Sequence, residues 1–451
     1  MNETVPVYER LKIGIFDFCF YFVYLGMIAE EFVHFVWQFR LFNQLDLFGQ
    51  DGEPIRILEV GIHNKDAGPD FLFAKIKIGE TIWNGHVEMH VDGADWRKHG
   101  HHTDKAYNNV ILHVVWVNPI AVSRADGTPI PCLYLQPLVD PGLRHRYEQI
   151  VQNLSWIPCS TEMRNIPDVV KVQTLQRMLV ERLSLRFHQI YTLVEQFQGD
   201  WERILFVMLC RSFGMKVNAE IFFTLGTLIP VILIQRYADE PIKIEALFLG
   251  QAGFLGQHVE DDYLKKLQQE YAYLKQLHQL KEVDRFAWRF MRMRPYNFPT
   301  FRLAQLAALY AAYPLLFSQT MNVQDLDLFK KALSPVKASR FWCSHFGLEK
   351  SSSEHPTVLS EAFVEHLIIN AFAPVVFSYG KYTDNIAFQE KALHWLEDIA
   401  PESNVITRKF KEIGLQAVSA TESQAMLQLK TQYCDCKYCL QCPIGVYLMK
   451  T

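Results

Sequence analysis

Neither sign of charge prevails in this 451-residue sequence: 45 Lys and Arg stand against 49 Asp and Glu, a formal net charge of −4. That excludes a globally basic, histone-like nucleic-acid binder, so any nucleic-acid surface must be a local patch. The composition of a disordered chain is absent too. Apolar residues make up 49% and charged ones 21%, enough to bury sizeable cores in two or three domains. No glycine-rich phosphate loop ending in Lys occurs. The stretch 250–256 (GQAGFLG) is no G-x-G-x-x-G fingerprint and follows no clear strand, so nucleotide hydrolysis by the chain is not expected. H-E-x-x-H is missing, as are a fixed repeat and a low-complexity linker.

Long hydrophobic runs are scarce. The run 13–29 is interrupted by Asp17 and lacks a small-residue cleavage site, while 224–234 is too short to span a bilayer and carries Pro230. The expectation is a soluble, cytoplasmic protein with no membrane partner, its residues 1–29 an uncertain extension. A start near Met27 would lead straight into the acidic turn Glu30-Glu31. Oligomeric state is not legible.

Phe32, Phe35, Phe39 and Phe42 repeat at i, i+3, i+7, i+10 behind that turn and predict a helix over 30–44. Strands are expected over 55–62, 71–78, 82–91, 110–117 and 132–138, with 93–107 polar and helix-compatible. From about residue 165 the pattern is amphipathic and helical, over 168–196, 200–214, 260–293, 300–317, 324–334 and 387–399. The expected fold class is α+β. A mixed-sheet domain over 30–150, in the order helix, three strands, helix, strand, precedes a larger α-helical domain over 160–430. A cysteine-rich segment, 431–451, closes the chain.

The third strand carries the chemistry. Its period of two puts His86, Glu88 and His90 on one face and Val87 and Met89 on the other. Asp70 begins the preceding strand, so a hairpin of this length lays its carboxylate beside Glu88. Two adjacent carboxylates repel unless a divalent cation lies between them, which suits Mg²⁺ or Mn²⁺. Asp95, His99, His101, His102, Asp104 and Tyr107 follow, and seven of the chain's 16 histidines fall between His63 and His113. His113, alone in an apolar strand, reads as a satisfied core histidine. His86-x-Glu88-x-His90 also offers N, O and N donors to zinc, the pattern of a zinc-dependent hydrolase of a small substrate.

Pro69-Asp70 at the head of one strand and Glu88-Met89-His90 on the next, in this strand order, resemble the PD-(D/E)xK nuclease superfamily. The resemblance implies a restriction-endonuclease-like domain that hydrolyses phosphodiester bonds of DNA or RNA. Asp70 and Glu88 would hold the metal and His90, standing where Lys is usual, would assist the water, with Asp95, His99 and His101 close by. At closer range the chain resembles an uncharacterised bacterial family of unknown function. The resemblance is carried by Asp66-Ala67-Gly68-Pro69-Asp70-Phe71, Trp83-x-Gly85-x-Val87-Glu88-x-His90, Asp95-Trp96, His99-x-His101, Tyr107-Asn108-Asn109-Val110 and Arg294-Pro295-x-Asn297-Phe298-Pro299. A non-catalytic scaffold binding nucleic acid or protein is the alternative of another class.

Nine cysteines do not fall into even pairs. Cys19, Cys132, Cys159, Cys210 and Cys343 are scattered, whereas Cys434, Cys436, Cys439 and Cys442 crowd together, as in an intracellular metal or cluster site. Cys436-x-x-Cys439-x-x-Cys442 has iron–sulfur spacing, and the fourth ligand is either Cys434 or a distant thiol such as Cys159. Zinc is the other occupant. The layout resembles a branch of the same nuclease superfamily in which a 4Fe–4S cluster pins the C-terminal segment. Lastly, Arg285, Arg289, Arg292 and Arg294 occur with interleaved aromatics and no acid. Read as a helix, the first three share one face and suit single-stranded nucleic acid; read as packing, the aromatics are core.

Overall fold

A computed structural model describes residues 29–64, 66–153, 155–257 and 260–451. All of the apolar run 13–29 except Ala29 lies outside the described residues. The chain forms two compact units. One takes the described residues up to Leu175 with Phe410–Leu415 and Leu427–Thr451, and the other takes Gln176–Lys409 with Gln416–Met426. The first unit thus runs on through Leu175, and the cysteine-rich segment belongs to it.

The first unit opens with helix α1 (Glu30–Gln38), whose Phe32, Val33, Phe35, Val36 and Trp37 are buried. It ends short of residue 44 because Arg40 turns left-handed (φ 52°) and its guanidinium donates to Ile57 O and Leu58 O. The Trp37 indole N–H donates to Val60 O at 3.0 Å, fixing the helix on the sheet. The sheet is seven-stranded. Its strands are β1 (Leu47–Phe48), β2 (Pro54–Glu59), β3 (Ile62–His63), β4 (Phe71–Ile78), β5 (Thr81–Asp92), β6 (Val110–Val117) and, beyond the small hairpin β7 (Val122–Ser123)–β8 (Pro129–Ile130), β9 (Cys132–Tyr134). The order is β1-β2-β4-β5-β6-β9, with β3 beside β4. β1, β2, β4 and β5 pair antiparallel, whereas β5, β6 and β9 pair parallel, so the sheet is mixed as expected.

β5 is the pivot between the two pairing modes. Gly85 stands where its backbone comes closest to the next strand: a Cβ there would fall 2.5 Å from Asn109 O and 2.4 Å from Ile111 Cγ2. Val87 and Met89 join the core formed with α1, β6 and helix α3 (Pro141–Gln152), which includes Phe32, Leu112, Trp116 and Tyr147. The opposite face of β5 is covered by the crossover to β6, whose Trp96 and Tyr107 make a satellite cluster with Val110 of β6 and with Val122 and Ile130 of the β7–β8 hairpin. That crossover is not the helix expected over 93–107. It has one α-helical turn, α2 (Asp95–Lys98), and one 3-10 turn, Lys105–Tyr107, because Gly100 takes φ 80° between them.

The second unit is helical, and five of its helices start where Asp200, Asp261, Asp325, Ser360 and Asn385 accept first-turn amides. Its core includes Ile204–Leu209, Phe248, Phe301 and Phe372. The helical stretch Glu361–Tyr382 is long and apolar enough to cross a membrane, but it is two-thirds buried (67%) within this unit, as a core helix is. A π-helical turn, Ile368–Phe372, precedes its Pro374 and absorbs the hydrogen bond that proline lacks. The helix expected over 260–293 stops at His278, where Gln279 takes φ 52°.

Candidate active site

Asp70 and Glu88 meet where β4 begins. The Asp70 N–H donates to Glu88 Oε2 at 3.1 Å, and the Met89 N–H donates to Asp70 Oδ2 at 2.9 Å. The hairpin register Phe71↔Val87 sets this exchange. A bulge follows at once: the register slips between Phe71 and Ala74, and Phe73 adopts φ 60°. The bulge holds Phe73 N–H on His86 Nδ1 at 3.3 Å, with the two rings edge to face. His86 therefore serves the bulge and does not join Glu88 and His90, so the expected N, O, N row on one strand face is broken.

Helix α1 adds two residues, Glu30 and His34, whose pattern in the sequence predicts only a helix. His34 Nε2 lies 3.3 Å from Asp70 Oδ2, and Glu30, His34 and Asp70 each bring a donor atom within 4.8 Å of the others. Their signal in the sequence is an acid and an imidazole at i, i+4 on a helix whose remaining face is aromatic. Burial, then the Asp70 charge, pushes the Glu30 carboxyl up to about 7. Glu88 is raised for the same two reasons, although the Asp70 amide opposes the shift. Burial alone would depress His34, but the Asp70 carboxylate 3.3 Å away outweighs it, and His34 sits above its usual value. Three crowded acids beside one protonatable imidazole are poised for a cation.

On its other side Glu88 faces histidines. Glu88 Oε1 is 3.2 Å from His101 Nε2 and 3.7 Å from His90 Nε2. His90 is 1% exposed, and its Nδ1 shares a 2.9 Å hydrogen bond with His113 Nε2. Burial, followed by the neighbouring imidazoles, drives His90 down to about 2 and His113 to about 4. His113 is thus buried as expected, yet it is bound to the site rather than to the core. Its Nδ1 has no hydrogen-bond partner among the described residues. His99, exposed at the end of α2, brings its ring to 5.2 Å from His90 and 5.6 Å from His101. Tyr107 stacks on His101 at 3.8 Å. Asp95 opens α2 and pairs with Lys98 at 3.3 Å, while His102 is exposed.

The thiols also sort themselves. Cys159, Cys434, Cys439 and Cys442 line one cavity with Ile150, Pro158, Tyr433, Tyr438 and Gly445. Cys436 is outside that lining, and its Sγ lies 3.9 Å from Thr431 O. Burial, and after it the neighbouring thiols, pushes Cys159 and Cys439 up to about 12, and Cys434 rises further for the same reasons. At Gly445 a Cβ would fall 2.0 Å from Cys439 O, so glycine alone lets the last helix, Pro443–Lys450, close on the cysteine loop.

The arginines lie in the second unit, on no common helical face. Arg285 belongs to a 3-10 turn (Arg285–Ala287) and stands 3.8 Å from Glu349, whereas Arg289, Arg292 and Arg294 are exposed on the loop that follows. Trp288 is buried, with its indole donating to Ala252 O, while Phe286 is 92% exposed. The aromatics are therefore divided between core and surface.

No curated protein and no solved structure matches the chain. The sequence model of one family, described as a protein of unknown function (DUF2851), matches residues 30–405 and so takes in every site residue named on α1, β4, β5, α2 and β6. The chain belongs to that family of unknown function.

Proposed function

We propose that the first unit is a divalent-metal-dependent phosphodiesterase of the nuclease type, acting on DNA or RNA. The observation that carries this reading is the backbone exchange between Asp70 and Glu88, which fixes two carboxylates side by side next to Glu30 and His34. Oxygen donors in that number, with raised carboxyl groups that resist ionising together, fit a hard cation such as Mg²⁺ or Mn²⁺. When bound, such an ion acts as a Lewis acid and supplies a water that ionises near neutral pH. Asp70 and Glu88 would hold such an ion through their carboxylate oxygens. Glu30, with its carboxyl near 7, can accept a proton at physiological pH. His34, whose affinity for a proton the neighbouring Asp70 carboxylate raises, can offer an N–H to a phosphate oxygen. His90 replaces the usual Lys with a buried neutral ring, so it brings no positive charge to the site and serves as an acceptor or ligand.

Substrate contacts are assigned to the loop carrying Arg289, Arg292 and Arg294, beside the exposed Phe286, where cations and an aromatic face suit single strands. Cys159, Cys434, Cys439 and Cys442 would hold a 4Fe–4S cluster or a zinc ion as a staple, because the cavity gathers these four thiols and leaves Cys436 aside.

The test is a cleavage screen on labelled DNA and RNA with Mg²⁺ and Mn²⁺, wild type against Glu88→Ala. The reading requires turnover in the wild type, and loss of turnover with retained substrate binding in the variant. A wild type that binds nucleic acid and never cleaves it would instead be the non-catalytic scaffold.

A further inference from the structure

The geometry points to a second metal site: His90, His99 and His101, completed by Glu88 Oε1, bind a first-row transition-metal ion of the zinc class, separate from the oxygen-rich site at Glu30, Asp70 and Glu88 Oε2. The proposal rests on the reading above only in that both sites share Glu88.

One nitrogen from each of His90, His99 and His101 lies within 4.8 Å of the other two. Four donors around a tetrahedral ion at about 2.1 Å stand roughly 3.4 Å apart, so these nitrogens need only draw together to close the set. Glu88 Oε1 already stands 3.2 Å from His101 Nε2 and 3.7 Å from His90 Nε2. The two oxygens of Glu88 are thereby divided, one toward imidazoles and one toward the Asp70 amide. Imidazole donors select zinc-like ions over Mg²⁺, which prefers oxygen and water.

The surroundings are those of a ligand set. In the tautomer in which His90 donates from Nδ1 to His113 Nε2, the His90 Nε2 lone pair faces Glu88 and the other rings. Tyr107 stacked on His101 and Trp96 against His90, at 6.5 Å, hold two of the three rings in place. His99 is exposed and gives an ion a way in from solvent. As mere packing the cluster is costly, since buried imidazoles and a buried carboxylate must be desolvated where apolar side chains would fill the space.

The test is titration of tag-free, metal-stripped protein with Co²⁺, read by its visible ligand-field bands. Bands accompanied by thiolate charge transfer in the near ultraviolet are assigned to cysteines and set aside. The expected result is one Co²⁺ bound with imidazole-type bands, displaced by Zn²⁺ and not by Mg²⁺. His99→Ala, a surface change that leaves the fold intact by circular dichroism, should weaken it by about 10–100-fold. Asp70→Asn should leave Co²⁺ affinity within a few-fold while abolishing any Mg²⁺-dependent cleavage. No imidazole-type Co²⁺ site in the wild type, unchanged affinity in His99→Ala, or equal losses in His99→Ala and Asp70→Asn would each overturn the proposal. If no cleavage is found with any metal but Co²⁺ binding follows the expected pattern, the nuclease reading falls and this site stands.

Discussion

Asp70 and Glu88 lock each other through the backbone: the Asp70 amide feeds the Glu88 carboxylate, and the Asp70 carboxylate takes the amide of Met89, the residue after Glu88. Each acid is thus fixed by the strand that carries the other. Two negative groups are held together by local structure at a cost that a cation relieves.

That cost has a sign in pH. Glu88 has a folded pKa above its ordinary 4.5, so between those values the folded protein binds more protons than the unfolded chain. Stability therefore falls as pH rises through that window. Metal-free wild type should melt progressively lower from pH 5 to pH 8.5. Glu88→Gln should flatten that slope and melt higher at pH 8, by about 2–4 °C per kcal/mol of repulsion removed. Mn²⁺ should restore the wild type and do little for the variant. Thermal melts at a series of pH values check this, and parallel slopes for the two proteins would contradict it.

Glu402 of the second unit should contribute in the opposite direction. Glu402 is half-buried, which alone would raise its pKa, but His366 at 3.6 Å, Asn370 and Arg182 hold it below its ordinary value. Its contribution is present above the unfolded carboxyl pKa and is lost as pH falls through the folded one. Glu402→Gln should cost about 1–3 kcal/mol at pH 7 and markedly less in acid, measured by urea unfolding.

At the cysteines, Cys439→Ser should abolish bound iron or zinc in anaerobically purified protein, whereas Cys436→Ser should retain it. Gly445→Ala should lower metal content as well, since its methyl would collide with Cys439 O. Elemental analysis for iron, zinc and sulfide decides, and loss of metal in Cys436→Ser would contradict the assignment.

If the loop of Arg289, Arg292 and Arg294 meets phosphates, replacing all three with Ala should weaken nucleic-acid binding at low salt. It should also reduce the slope of log affinity against log salt by about 0.7 per lost single-strand contact. An unchanged slope would remove the loop from the interface.

Much of this architecture is legible in the sequence. β4 and β6 begin and end as expected because turn chemistry bounds the first, at Pro69-Asp70 and Gly79-Glu80, and a β-branched run makes up the second. The pairing of Asp70 with Glu88 followed from hairpin length alone. The departures share one cause, which is that a single residue's backbone outweighs periodicity. Phe73 and its bulge withdraw His86, Gly100 interrupts the crossover helix, and Gln279 ends the helix that was to align the arginines. Glu30 and His34 could be read as helix but not as site, and Cys159 could not be matched to Cys434, because tertiary contact alone joins them to their partners.

The central claim meets its most direct test in the rate of Mn²⁺-dependent cleavage of end-labelled DNA and RNA under single-turnover conditions, wild type against Asp70→Asn. The account predicts cleavage by the wild type that ceases on chelation and returns with Mn²⁺, and a rate at least about 100-fold lower in the variant. Cleavage that survives unchanged in Asp70→Asn, or none by wild type on any strand with either metal, would contradict it.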